Sequence, residues 1–218
     1  MSLDSVLYAV YLALWLAAGL GLHEFAHAWT ALRLGDPTPK QYGRLTLNPR
    51  AHVDPFGTLV LPGILLLPVL FGRLLFPVFA YARPQPLNPW SLRRQDRHTT
   101  LVALAGPAAN VVLAFVVGAL FRATGEVGGQ LALVLAAGLQ VNVTLAILNL
   151  VPVPGLDGSR VLARFLSPRA REVYTGLEQY LALFILLIFF ILPGPIFAFV
   201  EIVGNGICGL VAGTACLP

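Results

Sequence analysis

Five apolar blocks, at roughly 5–32, 55–81, 99–121, 130–151 and 177–203, set the terms on which this chain can fold. A run of about 20 apolar residues is what a helix needs to cross a bilayer. Inside lipid every backbone polar group must be satisfied within the protein, which leaves helices or closed barrels. Blocks of this length select helices. The solvent is identified by composition, with 57% apolar and only 11% charged residues in 218. The 14 Lys+Arg against 10 Asp+Glu give a net +4, but no basic run is interleaved with aromatics, so no nucleic-acid partner is expected.

The basic residues instead sit between the blocks. Segment 33–54 carries Arg33, Lys40, Arg44 and Arg50; 82–98 carries Arg83, Arg93, Arg94 and Arg97; 152–176 carries Arg160, Arg164, Arg169 and Arg171. By contrast, 122–129 has one Arg and one Glu, and no Lys or Arg follows Val200. The positive-inside rule assigns all three basic segments to the cytoplasm. Block 55–81 lies between two of them and should enter and leave on one side. Its Pro62-Gly63, Pro68, Gly72 and Arg73 interrupt a helix repeatedly, so a re-entrant hairpin is expected, with a single kinked helix as the alternative. The predicted fold is an all-α integral membrane protein: about four full transmembrane helices, a re-entrant segment at 55–81, and short strands in the cytoplasmic-side loops. The strand candidates are 42–47, which alternates apolar and polar residues, and the proline-rich 81–88. One membrane-embedded domain over 1–218 is expected. The first block lacks a basic flank of the signal-peptide kind and reads as a retained helix. "LAGPAANVV", 104–112, reads as a close helix-packing surface. Cys208 and Cys216 leave a disulfide and two free thiols equally open.

The chemistry is concentrated in "GLHEFAHAW", 21–29, where His23, Glu24 and His27 form H-E-x-x-H inside an apolar block. Ionisable groups at membrane depth are rare unless paired, metal-bound or functional. On a helix, residues four apart share a face, so His23 and His27 can bind one metal ion while Glu24 approaches a water beside it. A catalytic zinc keeps three protein ligands and an open position. The plain alternative, three packing residues paired with one another, must account for three buried ionisable groups at once. For the third ligand the better candidate lies in "LNLVPVPGLDGSRVL", 148–162. There Pro152 and Pro154 stop a helix, and Gly155 and Gly158 allow a turn that re-aims Asp157. An ordinary Asp-Gly turn is the alternative. Topology links the two motifs: with a hairpin at 55–81, Asp157 returns to the side on which His27 lies.

"HEFAH" with "NLVPVPGLDG" resembles the site-2 protease family of intramembrane zinc metalloproteases, over nearly the whole chain. "RLGDPTPKQYGRLTLNPRAHVDPFGT" and "ALAGPAAN" look like its short bacterial members, which lack PDZ and CBS domains. The resemblance implies one zinc per chain held by His23, His27 and Asp157, with Glu24 as general base. It also implies a role for Asn149 at the oxyanion or in positioning substrate; an interhelical hydrogen bond is the alternative for that amide. The implied substrates are single-pass membrane proteins cut within or near their membrane segments, at the bacterial plasma membrane, from a site facing the cytoplasm. His52, in "NPRAHVDP", stands as a further ligand or gate, or as a loop residue. The rival reading is a divalent-metal transporter with an intramembrane His/Glu/Asp site, although no internal repeat of the kind common in transporters is visible.

Overall fold

A computed structural model describes residues 2–124, 128–191 and 193–217. Helix α1, Leu3–Leu34, starts on Ser2, which exchanges capping hydrogen bonds with Ser5. It ends at Gly35, whose φ of 111° is the left-handed stop that glycine allows. Helix α2 is Gln95–Thr124 and α3 is Gly129–Leu150; residues 125–127 of the connection between them, Glu126 included, lie outside the described residues. A short helix α4, Asp157–Ala163, follows the proline turn. The stretches α5, Pro168–Ile191, and α6, Pro193–Ala212, complete the chain.

Five of these six, all but α4, are long and apolar enough to cross a membrane. Large apolar side chains face outward on them, among them Ile202 and Leu210, which are 74% and 79% exposed. Patches of that kind are untenable in water and are ordinary against lipid. The interior holds the polar groups instead: Asn110, Gln140, Asn142 and Thr144 are all buried. The chain is a multi-pass membrane protein.

Glycines let α1, α2 and α3 approach closely. A Cβ at Gly138 would overlap the Trp15 indole, and one at Gly19 would press on Asn142 and Leu145. Trp15 Nε1 donates to the Val134 carbonyl at 2.8 Å, and the Tyr8 hydroxyl donates to Gln140 at 2.7 Å.

Segment 55–81 is a re-entrant hairpin. Asp54 caps its first limb by accepting from the Phe56 and Gly57 amides, and irregular helical turns run to Phe71. Ser5 Oγ donates to the Leu70 carbonyl at 3.0 Å, which places the tip beside the start of α1. After Gly72 (φ 73°) the chain returns extended. Its base is closed by Tyr81 N to Gly57 O and by Arg83 N to His52 O, at 3.2 and 2.9 Å.

Two expectations need correcting. No strand forms among the described residues. The limb 81–88 is extended, but Pro84 and Pro86 carry no N–H with which to continue a ladder, and 42–47 follows a short helix as a turn through Gly43 (φ 70°). The last apolar block is also not one helix but two, α5 described to Ile191 and α6 starting at Pro193, a first-turn position that proline favours. Together α5 and α6 still carry the chain across once. Arg171 of α5 pairs with Asp96 at the start of α2 at 2.9 Å, whereas Val211 of α6 lies against Gly118 near the end of α2.

The three arginine-bearing connections meet at one end of the bundle. Buried Asp36 accepts from Asn88 N at 2.7 Å, and Arg93 N donates to the Leu34 carbonyl at 3.4 Å. At the opposite end Cys208 and Cys216 form a disulfide with a Cα–Cα distance of 5.9 Å.

Candidate metal centre

Helical spacing alone puts His23 and His27 on one face of α1, with ring centroids 4.6 Å apart. What aims them comes from α2 and α3. The Val102 carbonyl accepts from His27 Nδ1 at 2.6 Å; a carbonyl can only accept, so the proton sits on Nδ1 and Nε2 presents a lone pair. Pro107 lies inside α2 and removes the N–H that would bond the Ala103 carbonyl, which loosens the helix next to Val102. His23 is fixed by a longer chain. Asn142 Nδ2 donates to the Gly138 carbonyl at 2.8 Å, and Asn110 Nδ2 donates to Asn142 Oδ1 at 2.9 Å and to the Gly19 carbonyl at 3.1 Å. With both amide hydrogens committed, Asn110 Oδ1 accepts from His23 Nδ1 at 2.6 Å. His23 Nε2 therefore also presents a lone pair.

Both Nε2 atoms face Asp157. Its carboxylate Oδ2 lies 3.0 Å from His23 Nε2 and 3.1 Å from His27 Nε2, and the two nitrogens are 3.0 Å apart. All three residues are buried. Three electron-rich atoms converging in a dry interior repel one another unless a cation lies among them. A proton on one imidazole relieves part of that repulsion; a divalent ion relieves all three edges. Ligands on one tetrahedral zinc at about 2.0–2.2 Å are roughly 3.3–3.6 Å from each other. The observed triangle fits zinc after opening by a few tenths of an ångström, and each imidazole already has the outer hydrogen bond that metal-binding histidines use.

Asp157 reaches this position because Gly158 lets α4 start hard against the end of α3. A Cβ at Gly158 would overlap the Leu150 carbonyl. Gly155 makes the preceding turn at φ 95°.

Glu24 completes a buried group with the two histidines; one ligand atom from each of the three lies within 4.8 Å of the others. Its Oε2 has no hydrogen-bond partner among the described residues. His23, Glu24, His27, Asp157 and Asn149 all line one cavity of about 60 Å³, room for several waters. Asn149 donates one amide hydrogen to the Leu145 carbonyl at 2.9 Å, which leaves the second for another acceptor. His52 is not part of this cavity. It donates through Nε2 to the Thr46 carbonyl at 2.9 Å and lines a separate apolar pocket beside Leu16 and Pro62.

Three contributors are not apparent from the two motifs: Asn110, the Val102 carbonyl and Gly106. A Cβ at Gly106 would overlap both imidazoles. The reading of "LAGPAANVV" as a packing surface holds for Gly106, but the surface that packs on it is the pair of histidines. An asparagine at membrane depth was the available signal, on the same grounds that single out His23. Gln85, on the returning limb of the hairpin, donates to the Glu24 backbone carbonyl at 2.8 Å.

The chain is similar to proteins named "Putative zinc metalloprotease". YwhC of Bacillus subtilis (strain 168) is 36% identical over 191 residues, covering 84% of this chain and 81% of that protein. Rip2 of Mycobacterium tuberculosis (strain ATCC 25618 / H37Rv) is 35% identical over 186 residues, covering 84% of this chain and 67% of that protein. No family model matches the chain. No solved structure matches it.

Proposed function

Since the chain belongs to the site-2 protease family of zinc metalloproteases, we propose that it hydrolyses peptide bonds within or near the transmembrane segments of single-pass membrane proteins. The observation that carries this reading is the convergence of two histidine lone pairs and one carboxylate beside a glutamate oxygen with no partner among the described residues, all lining one cavity of a membrane bundle. His23, His27 and Asp157 would hold the ion. Zinc bound there would lower the pKa of a coordinated water toward about 7 and polarise the scissile carbonyl.

The protein's own groups do the rest. Glu24 accepts a proton from the attacking water as its oxygen bonds to the carbonyl carbon, then delivers a proton to the leaving nitrogen as the C–N bond breaks. The free amide hydrogen of Asn149 is available to the oxyanion that develops on the carbonyl oxygen. Asn110 and Val102 keep the imidazoles from turning. The imidazoles and the two carboxylates are buried, so a helical substrate must unwind to bring its carbonyl beside them.

The arginine-rich end is assigned to the cytoplasm, in the bacterial plasma membrane. A disulfide at the far end suits an oxidising exterior.

The test is cleavage of a single-pass reporter reconstituted with the full chain, with chelator and with zinc restored, alongside Glu24→Gln. Expected are one zinc per chain in both proteins, cleavage abolished by chelator and restored by zinc, and a loss of about 10²–10⁴-fold in Glu24→Gln. A Glu24→Gln protein that loses its zinc, with wild-type vesicles that take up zinc and leave the reporter intact, would favour a transport site instead.

A further inference from the structure

A second cavity, of about 320 Å³, opens on the arginine-rich end. It adjoins the metal cavity, and three side chains line both: Gln85, Arg160 and Glu178. These three form the partition between the metal cavity and the wider groove. The partition is unsettled in physical terms. Gln85 is anchored through Nε2 to the Glu24 carbonyl, yet its Oε1 is buried without a partner among the described residues. Neither Arg160 nor Glu178 has an ion-pair partner among the described residues.

Beyond the partition the charges are unbalanced. Arg171 is committed, pairing with Asp96 and donating to the Ala163 and Arg164 carbonyls. Arg164 has no acidic partner among the described residues. It follows α4 directly, one turn beyond Arg160, where two like charges repel. Near the partition, Arg160 and Glu178 offset each other; farther out, Arg164 leaves a net positive wall.

We propose that this groove is the binding site for the unwound substrate segment that flanks the scissile bond on the arginine-rich side, and that it selects an acidic side chain at Arg164. The proposal rests on the peptidase reading above. It gives the groove a ligand of stated chemistry: an extended, polar peptide, neutral next to the cut and anionic beyond it. Gln85 stands at the passage, where its free Oε1 can accept a substrate backbone N–H once the chain is unwound.

Binding and cleavage are measured separately. Full-length Glu24→Gln in nanodiscs is titrated with fluorescent single-pass peptides that differ only in the flank, carrying aspartates, serines or lysines. The aspartate flank should bind about fivefold tighter than the lysine flank, the upper end for a screened charge pair, and the margin should shrink with added salt. Adding Arg164→Glu should invert the order, and Arg164→Gln should flatten it if the reversed charge prevents folding. An order that is absent, or that survives both substitutions, overturns the proposal. Wild-type cleavage separates the two readings. A flank preference in binding, with zinc present and no peptide cut, would sink the peptidase reading and keep the groove. Cleavage indifferent to the flank, with no preference in binding, would keep the peptidase and sink the groove.

Discussion

The bundle core around His23 and His27 and the base of the hairpin around His52 each bury imidazoles in an apolar protein, with opposite results. In each case a backbone carbonyl or an amide oxygen accepts a hydrogen bond from one ring N–H and so decides which nitrogen keeps a lone pair. For His23 and His27 that lone pair meets a carboxylate and another lone pair at 3.0–3.1 Å. For His52 the remaining Nδ1 is 1%-exposed-residue territory, closed off with no partner among the described residues. Burial of a histidine therefore says little by itself. What faces the second nitrogen separates a candidate metal ligand from a fold residue.

The sharpest way to break the contrast is to remove a ligand. His27→Ala is expected to lose zinc altogether, by metal analysis of the purified chain, because two remaining ligands cannot close the triangle; retention of one zinc per chain would mean that another residue completes the site. Removing an outer partner tests the wiring. Asn110→Ala should weaken zinc by about 10–100-fold in competition with a chelator, since His23 would be free to turn. Gly106→Ala adds a methyl where both imidazoles pack. It should cost about 1–3 kcal/mol in overpacking, seen as a lower unfolding temperature together with weakened zinc. His52→Ala should leave zinc content at the wild-type value and lower stability by about 1–3 kcal/mol, from a lost hydrogen bond and a new void. Loss of zinc in that variant would erase the distinction between the two regions.

The same contrast shows how far the sequence could be read. His23, Glu24 and His27 are legible because their relation is local: a helix repeats every 3.6 residues wherever it sits. Asp157 is 130 residues from His27; its own turn and the resemblance of its motif make it a candidate, and topology joins it to the histidines, because the arginine pattern and the broken block at 55–81 return the chain to the same end. The hairpin itself was readable from its prolines and glycines. For Asn110 the one sign is an amide at membrane depth; the Val102 carbonyl and Gly106 have none, since nothing in their own neighbourhood distinguishes a packing face from the wall of a site. The strands expected at 42–47 and 81–88 failed for a related reason. Alternation and extension are local properties, but a strand exists only when a neighbour supplies the ladder, and the prolines of 81–88 refuse it. The division of the last block at Pro193 was written in the sequence and was outweighed by the length of the apolar run.

By itself, then, the chain determined its solvent, its helices, the face on which two histidines stand and the end to which its arginines belong. These follow from hydropathy, helical period and charge, which act over a few residues at a time. Tertiary structure alone decided the tautomer of each imidazole, the approach of Asp157 over Gly158, the exclusion of His52, and the partition at Gln85 between cavity and groove. Each of those depends on atoms from separate helices meeting within hydrogen-bond distance, and no local rule carries that information.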